Sequence, residues 1–174
     1  MTKATVRELK VATGLSPLLL ESFKRNGRVN TALLDHLSDA DLSISDGQDG
    51  MSVVEQIAHM AGFRKDWLSE ISPSHAATLD VELENDMLTL RDPAELRQAL
   101  SEGDAAVLAA IRDALKDDRD FEGAYESNPA HFLQHALVHD AHHRGQIMML
   151  LRQSGYSPQQ MAALEQATWP IWRE

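Results

Sequence analysis

His139 and His143 stand four residues apart in the segment His139-Asp-Ala-His-His-Arg-Gly-Gln146, inside a run that reads as one helix. Residues four apart share a helical face, one turn above the other. Two imidazoles so placed reach a single metal ion, each offering a ring nitrogen at about 2.0–2.1 Å. The stripe continues upstream through His135 and His131, so four of the chain's eight histidines follow one helix edge. Phe132, Ala136, Ile147 and Leu150 share the face with His135, His139, His143 and Gln146, which directs it inward. Buried imidazoles cost free energy unless each finds a partner. A metal is an efficient one, because it takes neutral imidazole directly. His59, on a neighbouring inward face, is the natural third ligand. Three histidines leave at least one position for water or substrate, the pattern of a catalytic rather than a closed structural centre.

The same residues carry plainer readings. A core histidine bonded to a carbonyl or a carboxylate is the alternative for His59, and also for the His139/His143 pair. His142 lies off the centre of the face, toward surface or an interface. His135 is open between a place behind the ligands, an alternate ligand and a core position. His36, His75 and His131 read as solvent or loop histidines. Met60, Phe63 and Trp67 form a stripe that is most simply core. Arg144 sits off the face, which favours a helix-surface salt bridge over anion binding. Gln146 is placed to bond a ligand histidine, and Gly145 to permit close helix contact.

Four long helices must position these groups. Helix one is predicted over Pro17 to Leu37, with Ser16-Pro17 as cap and first-turn proline. Leu19, Phe23, Leu33, Leu34 and Leu37 mark its buried stripe, interrupted by Gly27 and Asn30. Ser38 to Gly50 reads as an acidic loop. Helix two is predicted over Val53 to Glu70 behind the capping box Ser52-Val-Val-Glu55. Its two apolar stripes make it central. A long connection follows from Ser72 to Arg91, a crossover along the bundle or a lid, with an extended piece at Thr78 to Leu83. Helix three opens at Asp92-Pro93-Ala-Glu95 and ends near Leu115. Helix four opens at Asn128-Pro129 and stops at Gly155, which suits a left-handed C-terminal cap. Ser157-Pro158 opens a short last helix, and Trp169 and Trp172 lie near the end. The expectation is an all-α four-helix bundle with long crossover connections plus a short C-terminal helix, as one domain over residues 1–174.

Composition removes several function classes. With no cysteine, disulfides, thiolate ligands and a covalent cysteine mechanism are excluded. Any metal is held by histidine, carboxylate, water or substrate. No apolar run approaches the roughly 20 residues that span a bilayer. MTKATVRELK is charged and lacks the apolar core of a signal peptide, so a soluble cytoplasmic protein is expected. The 16 basic residues against 27 acidic ones, a net charge of -11, oppose both anionic membrane and nucleic acid.

The pattern His139-x-x-His142-His143-Arg144-Gly145-Gln146-Ile147, followed by Leu151-Arg152-x-x-Gly155, resembles the signature of the DinB/YfiT-like superfamily. His59 followed by Trp67-Leu68 resembles the second block of that family. The match covers the whole helical layout. The resemblance implies a four-helix bundle with long crossovers, often homodimeric. It also implies a divalent metal, commonly zinc or nickel, on a helix-two histidine and an HxxxH pair, roles that fall on His59, His139 and His143. Some such relatives are transferases or isomerases that use low-molecular-weight thiols. The expected function is therefore a metal-dependent small-molecule enzyme, with transfer of a thiol as the leading reaction. Zinc would lower the pKa of a bound thiol or water. Hydrolysis by metal-bound hydroxide and a non-catalytic metal-binding stress-response protein are the alternatives. The family's name refers to induction by DNA damage and does not imply DNA binding.

The charge yields a direct expectation. With no clustered Lys or Arg to displace counterions, affinity for duplex DNA is negligible at physiological salt. A gel shift at submicromolar protein that weakens steeply with added salt would contradict this.

Overall fold

Helices α3 (Val53–Ile71) and α5 (Pro93–Lys116) form where a cap precedes an apolar period, and a computed structural model of the chain describes residues 15–126 and 128–174. The charged N-terminal stretch, 1–10, lies outside the described residues. The four expected long helices are α1 (Leu15–Asp35), α3 (Val53–Ile71), α5 (Pro93–Lys116) and α6 (His131–Gln153). Short helices α2 (Asp39–Leu42) and α4 (Pro73–Ala76) sit in the first two connections. A last helix, α7 (Pro158–Thr168), leads into a 3-10 turn over Trp169–Arg173. The Glu55 carboxylate accepts from the Ser52 amide at 2.8 Å. Asp92 Oδ1 accepts from the amides of Ala94 and Glu95. These bonds satisfy donors that the first helical turn leaves open.

Several boundaries differ from expectation. The described part of helix α1 already includes Leu15, Ser16 and Pro17, so the Ser16-Pro17 pair lies inside the helix rather than ahead of it. Helix α6 starts at His131 rather than at the Asn128-Pro129 pair. Asn128 instead caps a preceding turn, its side-chain oxygen accepting from the Ala130 amide at 2.9 Å. The acidic loop contains α2 because Ser38 and Asp41 close a capping box of their own. The extended piece lies further along than Thr78 to Leu83. It is a hairpin of β1 (Leu83–Glu84) and β2 (Met87–Leu88), with Leu83 opposite Leu88 and Glu84 opposite Met87. Asn85 and Asp86 at its tip both take positive φ, 51° and 59°, as a two-residue type I′ turn requires. Gly155 adopts φ +102°, the expected left-handed end of α6.

The long helices close in a ring, with α1 packed on α5 and α6, and α3 packed on the same two. Chain-consecutive α1 and α3 therefore take opposite corners, as do α5 and α6, and their connections cross an end of the bundle. Helix α7 and the 3-10 turn pack outside α1.

The core is divided along the bundle axis. One half gathers Leu33, Val53, Ile57, Leu100, Ile147 and Leu151. The other gathers Phe23, Leu68, Val107, Ile111, Phe132 and Leu133. Between them lies a polar layer to which every corner contributes. Arg64 of α3, wholly buried, donates from Nη1 and Nη2 to the two carboxylate oxygens of Asp140 of α6, at 2.7 and 2.6 Å. Its Nε meets Asp104 of α5 at 3.0 Å. Asn26 and Asn30 of α1 donate to Asp140 Oδ2. The interruption of the α1 stripe at Gly27 follows from this layer, because a Cβ there would collide with the Asp104 carboxylate.

Burial alone would push the Asp140 carboxyl up, but the Arg64 guanidinium outweighs it and holds the group well below the usual carboxylate range. Such a group contributes stability that is present above its unfolded pKa of about 4 and is lost as pH falls below it. Asp140→Ala would leave Arg64 buried without its principal partner, a loss of about 3–5 kcal/mol. Urea unfolding of wild type and variant at neutral pH measures this. An unchanged midpoint would show that the pair is not structural.

Candidate metal centre

His59 projects from α3, and His139 and His143 from α6, at the level of the polar layer. One ring nitrogen from each lies within 4.8 Å of the others. The Nε2 atoms of His59 and His139 are 3.1 Å apart. The Nδ1 atoms all turn outward, each toward an oxygen. His143 Nδ1 donates to Gln56 Oε1. Asp140 Oδ1 lies 3.5 Å from His139 Nδ1, and Asp86 Oδ1 lies 3.6 Å from His59 Nδ1. Neither of the last two nitrogens completes a hydrogen bond.

This arrangement has an electrostatic consequence. An oxygen beside Nδ1 favours the tautomer with its proton there, which leaves the Nε2 lone pair free. Two such lone pairs at 3.1 Å repel each other. A cation between them removes the repulsion, and outer oxygens of this kind orient metal-bound imidazoles. Burial, and after it the charge of His139, lowers the His59 pKa. Burial first, then His139 and His59, push His143 down to about 4. Both are therefore neutral near pH 7, the form that a metal accepts.

The elements that hold the three rings follow from local sequence. His139 and His143 stand one turn apart on α6, and Phe63 stacks on the His139 ring at a centroid distance of 4.1 Å. The hairpin brings Asp86 to His59. It lies close against α3, where a Cβ at Gly62 would come within 2.5 Å of the Asp86 carbonyl. Lys65 Nζ ties the approach to the hairpin down by donating to the carbonyls of Leu79 and Val81, at 2.8 and 2.6 Å.

The other histidines fall outside the group of three, although the His142 ring lies edge-on to His143 at a centroid distance of 5.2 Å and His135 lies 6.5 Å from His139. His135 is exposed, and its Nδ1 pairs with the Tyr125 hydroxyl at 2.7 Å. Burial raises the Tyr125 phenol to about 12, so it remains a donor. His142 is exposed. His36, just past the end of α1, bonds the Ala32 carbonyl, and His75 bonds Ser72. His131 is exposed at the start of α6. Met60 and Phe63 are buried core residues, and Trp67 is half-buried.

Three expectations are corrected. Gln146 is exposed, and the glutamine that bonds a clustered histidine is Gln56, one turn before His59 on α3. Arg144 forms no surface salt bridge: its Nη1 donates to the side-chain carbonyls of Asn26 and Asn30. Gly145 meets no neighbouring helix, since a Cβ there would find nothing within 4 Å. Sequence reading also passed over Asp86 and Asp140 as partners of the histidines. The only signals for them were the Asn85-Asp86 turn pair and the adjacency of Asp140 to His139.

A cavity of about 520 Å³ opens on His143. Asp46, Asp49, Met51, Gln146 and Met149 are among its walls, and no Lys or Arg is. No helix among the described residues is long and apolar enough to cross a membrane.

No curated protein and no solved structure matches the chain. One family model does, that of the DinB family, over residues 4–174. It spans the three clustered histidines, the hairpin and all four long helices, and the chain therefore belongs to the DinB family.

Proposed function

We propose that the chain is a divalent-metal-dependent enzyme acting on a small molecule, with His59, His139 and His143 as the metal ligands. The observation that carries this reading is the convergence of three imidazoles whose Nδ1 atoms all face oxygens. The donor set is all nitrogen and neutral, which suits zinc or nickel and not calcium or magnesium. A bound ion of this kind supplies Lewis acidity and lowers the pKa of a thiol or water beside it.

The chain's own groups do the rest. Gln56, Asp86 and Asp140 hold the ring orientations through the Nδ1 atoms. Phe63 stacks on His139, and burial keeps His59 and His143 neutral. The cavity at His143 admits the substrate. That cavity favours catalysis over a purely structural ion, because a structural site closes around its metal. Transfer of a low-molecular-weight thiol to an electrophile is the leading reaction within this proposal. The carboxylates Asp46 and Asp49 favour a thiol bearing an amine over a strongly anionic one. A metal-dependent hydrolase uses the same cavity and is the second reading. A homodimer and a cytoplasmic location belong to the proposal on family membership alone.

Protein purified without chelator and reloaded with zinc or nickel is expected to hold about one ion per chain, as a single three-histidine site implies. Elemental analysis reads this directly, and affinity no better than that of scattered surface histidines would sink the metal assignment. Titration calorimetry with zinc separates the ligands. His59→Ala and His143→Ala abolish tight binding, whereas His142→Ala keeps most of it. Gln56→Leu weakens binding by about 10- to 100-fold, the usual cost of losing an orienting partner. Retention by His143→Ala with loss in His142→Ala would reverse the ligand assignment. In cobalt-loaded protein, a sulfur-to-cobalt charge-transfer band on adding cysteamine or another amino-thiol supports thiol chemistry. A spectrum unmoved by a panel of thiols would leave hydrolysis as the better reading.

A further inference from the structure

A second cavity, of about 430 Å³, lies on the other side of α6, between that helix, α1 and the C-terminal turns. Its volume falls within the range of small-molecule sites. Val29, Met148, Met149, Trp169 and Trp172 give it an apolar wall. Trp169 is 57% exposed and Met149 54%, large apolar surfaces left in contact with water. Arg152 and Glu165 also border it, and they answer each other as an exposed ion pair at 3.8 Å.

Two residues that line this groove keep a capacity that their contacts within the chain do not use up. The first is Arg144. Its Nη1 is held by the carbonyls of Asn26 and Asn30, whose own amide groups are fixed by Asp140. The guanidinium is thus clamped at one nitrogen. Among the described residues, no group accepts from its Nε or Nη2, and it forms no ion pair with a carboxylate. The second is Gly145. Glycine in a helix interior is disfavoured relative to every residue but proline. Here it relieves no contact, because nothing lies within 4 Å of where its Cβ would stand. The space above Gly145 is the groove itself.

We propose that this groove binds a small amphipathic carboxylate, its acid group on Nε and Nη2 of Arg144 and its apolar part over Gly145 against Met149 and the tryptophans. A guanidinium edge with two parallel donors matches a carboxylate. A pre-oriented arginine gives up little entropy on binding it. The apolar wall selects a hydrocarbon or aryl tail over a bare inorganic anion. The site faces α1 and the C-terminal turns, whereas the histidines face α3; the two cavities share Met149 in their walls, and the groove's argument uses no metal.

Calorimetry with octanoate and 4-phenylbutyrate as probes tests it, with octanamide as the neutral counterpart of the first. Both acids are expected to bind saturably, one per chain. Octanamide is expected to bind about tenfold more weakly or worse, the worth of a charge-assisted hydrogen bond. Gly145→Leu puts a side chain into the groove from a Cβ that itself meets nothing within 4 Å. It abolishes binding while leaving the thermal midpoint unchanged or raised, since leucine is the better helix former. Arg144→Gln erases the preference for the acid over the amide. Should that variant fail to fold, Gly145→Leu still decides. Absence of binding by both acids overturns the proposal, as does equal binding of octanamide. Sedimentation that finds a dimer in wild type and a monomer in Gly145→Leu, with no acid binding, would assign the groove to a second copy of the chain and also overturn it.

Discussion

The ion pair between Arg64 and Asp140 is the constraint on which the rest of the structure depends. A guanidinium with no exposed surface is tolerable only if nearly all its donors are met. Asp140 takes two of them, Asp104 a third, and the Met60 carbonyl another at 2.6 Å. Meeting that demand requires α3, α5 and α6 to stand at fixed heights relative to one another, and the two asparagines add α1. Apolar side chains alone would allow neighbouring helices to slide, because their attraction has little direction. The polar layer removes that freedom at mid-bundle. The histidines sit beside it, where positions are best defined.

The same layer links two faces of one helix. Asp140 accepts from α1 and α3 and stands near His139 Nδ1. Through the asparagines it also orients the clamp on Arg144. One face of α6 therefore presents two imidazoles and another presents a cation, with a single carboxylate between them. Coupling across this distance needs only side chains that already touch.

Much of this was legible in the sequence because it rests on short-range patterns. The HxxxH spacing, the capping box at Ser52, the Asp92-Pro93 and Ser157-Pro158 starts and the glycine stop at 155 are local signals, and each appears in the structure. The polar layer was not legible. Arg64 and Asp140 are 76 positions apart, and a lone charged residue on a helix reads by default as a surface group. Gln56 was passed over for Gln146 because the latter sits on the histidine helix, although the face turns away from the cluster by that position. Asp86 depends on a hairpin of only two pairs folding back on Gly62, a tertiary contact with no periodic signature. Asn30 was read as a flaw in an apolar stripe, and it is in fact one of the groups that the buried carboxylate requires.

Helix α6 alternates its duties residue by residue. His139 and His143 belong to one face, and Asp140 and Arg144, each immediately following, belong to another. Both pairs are four apart, so they rise together and differ by one step of rotation, about 100°. The segment from His139 to Arg144 is consequently intolerant of any change in length. Inserting or deleting a single residue between Asp140 and His143 would turn one member of each pair away from its partner at the same stroke. No compensating rotation of the helix restores both. A change of length in the loops at either end of the bundle leaves this phase untouched, whereas the six positions act as a block.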